Sequence, residues 1–118
     1  MINISMATTS ETLLTINTHS GDSNLETITG DKIKGDGYYG RSDGLHTVQY
    51  TYTDFTGKIS IQATLAIEPV DEDWFTVISK NIEQDTKSEI ESFTGNYVWI
   101  KAVVEYTDGT VNSIILNH

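Results

Sequence analysis

Few residues in this chain are equipped for acid–base or metal chemistry. There are three histidines, His19, His46 and His118, and no cysteine. None of the histidines stands at metal-ligand spacing from a second histidine or a carboxylate. A catalytic imidazole also needs a partner that orients it. The expectation is therefore surface or strand-end histidines, with no metal and no cofactor. Asp71, Glu72 and Asp73 form an acidic run whose oxygens suit a hard cation such as calcium. Lacking EF-hand spacing or a second matching cluster, the run reads as solvated charge. No nucleophile–base–orienter set and no cofactor fingerprint is present, so a non-enzymatic protein is expected.

Gly35-Asp36-Gly37-Tyr38-Tyr39-Gly40 has the glycine content of a phosphate loop. It lacks the lysine–serine ending and the following helix that would aim backbone amides at a phosphate. The same stretch suits recognition better. Tyr38, Tyr39, Arg41 and Asp43 offer rings and hydrogen-bonding groups to a sugar or a protein partner, with Trp74 as a further candidate and His46 close behind. The plainer alternative is that the tyrosines close a sheet end while the glycines make turns. Trp99 and Val103 carry a similar ambiguity, being either the second face of a central strand or an exposed subunit contact.

The elements that must position these groups are strands. His46 to Phe55 alternates, with Val48, Tyr50 and Tyr52 on one face. After Asp54-Phe55-Thr56-Gly57, the run Lys58 to Ile67 places Ile59, Ile61, Ala63, Leu65 and Ile67 on one face, which predicts a hairpin. Pro69 ends that run, and Trp74 to Ile82 resumes an extended pattern. Asn96 to Tyr106 puts Val98, Ile100, Ala102, Val104 and Tyr106 together, and Asp108-Gly109 predicts a second hairpin into Val111 to Leu116. Leu13 to Asn17 and Leu25 to Ile33 suit short strands, and Thr86 to Ser92 a polar connection with one helical turn. Together these predict one domain over 1–118, with 1–31 partly flexible. The fold class is all-β, a two-sheet antiparallel β-sandwich of jelly-roll type with seven to eight strands.

The 118 residues suffice for one apolar core without disulfides. Seventeen acidic residues against seven basic ones give a net charge of −10, which disfavours nucleic acid and anionic membrane as partners. No apolar run reaches the roughly 20 residues of a membrane span. The start shows no secretory signal, so synthesis in a cytoplasm is expected.

Three ordered blocks, Gly57 to Ala66 (G-K-I-S-I-Q-A-T-L-A), Glu68 to Phe75 (E-P-V-D-E-D-W-F) and Gly95 to Ile100 (G-N-Y-V-W-I), lie within the longer stretches Gly37 to Val77 and Phe93 to Val111. These stretches resemble small virion structural proteins of tailed phages, especially the contractile-tailed phages of marine cyanobacteria. The block order is also similar to galactose-binding-like jelly rolls, a likeness of fold that says little about ligand. The phage resemblance implies a virion component, made in the host cytoplasm, that associates with itself and with other particle proteins. A carbohydrate-binding module that attaches to a host glycan is the alternative.

Overall fold

The computed structural model describes residues 10–40 and 43–118. Among them seven antiparallel strands make up the fold: β1 (Glu11–Leu14), β2 (Asn17–Thr18), β3 (Glu26–Thr29), β4 (Ile33–Lys34), β5 (Leu45–Thr64), β6 (Phe75–Thr94) and β7 (Trp99–Asn117). A 3-10 turn at Asp71–Asp73 interrupts the β5–β6 connection. Among the described residues no helix is long and apolar enough to cross a membrane.

All seven strands belong to one hydrogen-bonded sheet, in which β7 lies between β5 and the short strands β1–β4, and β6 forms the far edge. A flat sheet would leave one face wet. Here one face of β5 and β7 is sealed along its whole length, through Val48, Tyr50, Tyr52, Phe55, Ile59, Ile61 and Ala63 on β5 and Ile100 to Leu116 on β7. The sheet achieves this by folding over at mid-length so that its halves become the two layers of a sandwich. The Lys80 ammonium reaches Glu89 at 3.5 Å from one half of β6 to the other. The shortest dimension, 18 Å, fits two layers about 10 Å apart.

The fold-over explains why both predicted hairpins are absent. Asp54 to Gly57 and Thr107 to Thr110 are bends inside continuous strands, and the true connections are residues 65–74 and 95–98. Each long strand carries one left-handed residue at this level: Asp54 (φ 47°), Gln84 (φ 43°) and Gly109 (φ 91°). Such residues make bulges, which sharpen bending and twist. Threonine hydroxyls take up amides at the disrupted rungs: Asp54 N–H donates to Thr86 Oγ1 (2.9 Å) and Gln84 N–H to Thr56 Oγ1 (3.1 Å). Asp108-Gly109 does supply a positive φ, but the residues after it pair with the first half of β5 and not with β7 itself. Thr86 to Ser92, expected to hold a helical turn, is part of β6, because Lys87 to Ser92 pair with Tyr52 to Thr47.

Taking each long strand as two segments, with β1–β2 first and β3–β4 second, the chain visits eight segments. One layer runs first–eighth–third–sixth and the other second–seventh–fourth–fifth. The open end, opposite the bend, gathers residues 35–40, 43–44, 65–74 and 95–98 together with the end of β7. That end holds the chemistry described below.

Three tyrosines lie in the core. Burial, reinforced by hydrogen bonds to Glu91 and Glu89, raises the hydroxyl pKa of Tyr50 and Tyr52 far above the usual value, and burial raises that of Tyr106. Unfolded tyrosine ionises near pH 10. The unfolded state then loses protons that the native state keeps, so stability is intact below pH 10 and falls as pH rises through it. Spectrophotometric titration should show fewer than the chain's six tyrosines ionising before the fold is lost. At the bend, a Cβ on Gly109 would stand 2.2 Å from the Asp54 carbonyl oxygen. Gly109→Ala should cost about 2 kcal/mol or more in urea unfolding, since both the left-handed φ and the contact oppose it.

Candidate functional site

The inward-facing positions of the first layer continue past the apolar core to the open end. On β5 the series Tyr52, Tyr50, Val48 ends in His46, and on β7 the series Ile114, Leu116 ends in His118. His46 is fully buried, and the His118 side chain is 3% exposed. Asp36, from the connection between β4 and β5, enters beside them with its own side chain 4% exposed. No metal-ligand spacing in the sequence joins these residues, yet His46 and His118 stand at strand ends beside each other and beside a carboxylate, and both are buried there. Residues 36, 46 and 118 are far apart in sequence, and the fold-over brings them together.

Hydrogen bonding fixes the state of each ring. His46 Nδ1 lies 2.9 Å from the Gly44 carbonyl, and its Nε2 accepts the Asp36 amide N–H at 3.2 Å. An amide N–H can only donate, so Nε2 carries the lone pair and Nδ1 the proton. Burial holds the His46 pKa below its ordinary value, against the opposing effect of the Gly44 bond. His118 differs. Its Nδ1 is 2.6 Å from Asp36 Oδ1 and its Nε2 is 3.0 Å from Glu11 Oε1. The rings form a column of Tyr39, His118, His46 and Phe93, with centres 5.0 to 6.1 Å apart.

The glycine-rich stretch has a steric cause. Gly35 and Gly37 donate their amides to the carbonyls of Val98 and Tyr97 (2.9 Å each), and a Cβ on Gly37 would sit 1.9 Å from the Asn96 carbonyl oxygen. Tyr38 then projects against Trp99, ring centres 5.2 Å apart, with Tyr39 edge-on to it at 5.6 Å. Lys34 Nζ lies 4.6 Å from the Tyr38 ring and Lys32 Nζ 4.7 Å from that of Trp99. The Trp99 indole N–H donates to the Ile67 carbonyl at 2.9 Å. Tyr38, Gly37, Val98, Leu65 and Ile67 line a groove of about 360 Å³. Leu65 and Ile67 were expected to extend the core face of their strand. They fall beyond its last residue, Thr64, and are 66% and 77% exposed.

The candidate binding set thus divides. Tyr38 and Tyr39 share the open end with Trp99. Asp43 is exposed on the same connection, and Arg41 lies outside the described residues. Trp74 is half-buried under Lys101 Nζ, 4.2 Å from its ring centre. Val103 is half-buried on the outer face of β7, between Thr29 and Ser60. Asp71 and Glu72 are exposed, and Asp73 accepts the Val70 amide.

At the bend, His19 lies close to Asp22 and Glu26. Gly21 N–H donates to its Nδ1 at 2.9 Å, so the proton is on Nε2 and points at the Asn24 carbonyl, 2.6 Å away. That tautomer offers no lone pair to a cation, and His19 serves as a pin for the 19–26 turn.

No family model and no curated protein matches this sequence. The geometry itself separates two kinds of contribution at the open end. Asp36→Ala should cost about 3–5 kcal/mol in urea unfolding, because it strips a buried partner from His118. Glu11→Gln, at a side chain 40% exposed, should cost under about 1 kcal/mol.

Proposed function

We propose that the chain is a non-enzymatic structural protein of a phage particle, synthesised in the host cytoplasm. In this reading it is a jelly-roll module that assembles with copies of itself or with neighbouring particle proteins through its open end. The phage assignment rests on the resemblance of the Gly37–Val77 and Phe93–Val111 stretches. The eight-segment order supports the jelly-roll reading, since two four-stranded layers with these neighbours are what that architecture requires.

The observation that carries the assembly mode is the apolar rim. Leu65, Ile67, Val70 and Phe75 are all exposed on or beside one connection, and Leu65 and Ile67 share a groove with half-exposed Tyr38. Contiguous apolar surface of this kind marks an interaction site. Three of the seven basic residues, Lys32, Lys34 and Lys101, are held over rings on this side of the molecule. A partner that is apolar at its centre and acidic at its margin suits such a surface, and nucleic acid does not suit a chain of charge −10. The half-exposed rings of Tyr38 and Tyr39 favour a second reading, a host glycan stacked on them.

Sedimentation velocity across a concentration series separates the readings. Assembly through the rim predicts concentration-dependent association that Ile67→Asp abolishes without changing thermal stability, because Ile67 contributes little to the core. Association that survives Ile67→Asp would place the contact elsewhere. A monomer at all concentrations, whose thermal stability rises with a glycan and loses that response in Tyr38→Ala, would favour the glycan. Mass spectrometry of purified particles tests the virion assignment separately, which predicts many copies per particle.

A further inference from the structure

We propose that Asp36, His46 and His118 form a binding site for one divalent transition cation of the zinc type, with Glu11 and the Gly44 carbonyl orienting the two imidazoles. One potential ligand atom from each of the three residues lies within 4.8 Å of the others. Two imidazoles and one carboxylate are a donor set suited to zinc, cobalt or nickel ions, and a poor one for calcium, which takes oxygen ligands.

The surrounding hydrogen bonds carry the argument further than proximity does. A metal-bound histidine almost always gives its other ring N–H to a carbonyl or carboxylate, which fixes its tautomer and aim. Both rings have that partner in place. His46 directs Nδ1–H to the Gly44 carbonyl at 2.9 Å, leaving the Nε2 lone pair on the Asp36 side. His118 directs Nε2 to Glu11 at 3.0 Å, leaving Nδ1 on the Asp36 carboxylate. Without the ion, a proton between His118 Nδ1 and Asp36 Oδ1 holds these atoms together. On binding, the cation takes the place of that proton, which is released, and displaces the 3.2 Å amide contact at His46 Nε2. Three protein ligands leave one position of a tetrahedral ion for water.

Burial makes the site selective against casual surface binding, since His46 is fully buried and the other two side chains are under 5% exposed. The His19 cluster is an internal contrast, with the wrong tautomer for the same chemistry. The inference does not depend on what docks at the rim. It ties the segment around Asp36, the start of β5 and the end of β7 at a single point.

The test is calorimetric titration of the untagged, chelator-treated chain with zinc chloride, paired with thermal unfolding and with cobalt(II) absorption. The expected result is one ion per chain, a raised unfolding temperature, and visible bands of four-coordinate cobalt bearing nitrogen ligands. His118→Ala should abolish all three signals, and His19→Gln should leave them unchanged. Glu11→Gln, which keeps every ligand, should weaken affinity by about 10–100-fold. Absence of stoichiometric binding to the folded wild-type chain would overturn the proposal. So would binding that persists unchanged in a folded His118→Ala variant.

Discussion

A strand twenty residues long that buries one face must keep its apolar residues on that face while the sheet turns through a sharp fold. Period-two alternation cannot do this unaided, because bending needs an extra residue and each extra residue reverses the alternation. On β5 the inward series is even-numbered as far as Tyr52 and odd-numbered from Phe55. On β7 it is even to Tyr106, odd at Val111 and even again from Ile114. The sequence therefore encodes the bulges twice, once in the left-handed residues that form them and once in the phase of the apolar pattern on either side. Both halves of the core, and the meeting of residues from remote parts of the chain at the open end, depend on that phase correction.

Two edges remain, and they are protected differently. The β1–β4 edge is broken into short strands, which limits the template it presents. The β6 edge is long, and its inward positions next to β5 carry Lys80, Glu89 and Glu91 where a central strand would carry aliphatic side chains. Tyr50 and Tyr52 reach out to those carboxylates with 2.7 Å hydrogen bonds, so the charges are satisfied. Inward charge on an edge strand discourages another strand from continuing the sheet. The open end differs, since apolar groups are exposed there.

The strand content and most of the core were legible from alternation alone. Val48, Tyr50, Tyr52, Ile59, Ile61, Ala63 and the Ile100–Tyr106 series all face inward as the pattern requires. The connectivity was not legible in the same way. Asp54 to Gly57 and Asp108-Gly109 have the composition of turns, and composition reports the positive φ without telling whether the chain reverses or bends. What distinguishes the cases is pairing with a distant strand, a non-local property. The histidines show the reverse situation. His46 and His118 each extend an inward alternation by one step, a visible signal that they cap the core. Asp36 had no such signal, because the close approach of Gly35 and Gly37 to the 95–98 connection is what carries it inward.

The open end joins its buried and exposed chemistry through one short segment. Gly35 and Gly37 press the backbone onto Tyr97 and Val98, Asp36 turns in toward His118, and Tyr38 turns out against Trp99. Tyr39 takes an intermediate place, its ring stacked on His118 and edge-on to Tyr38. A segment held by two backbone hydrogen bonds and a buried Asp36–His118 hydrogen bond loses little further freedom when something docks on its outer side chains. Preordering of this kind lowers the entropic cost of association. The buried cluster thus fixes the backbone from which Tyr38 projects.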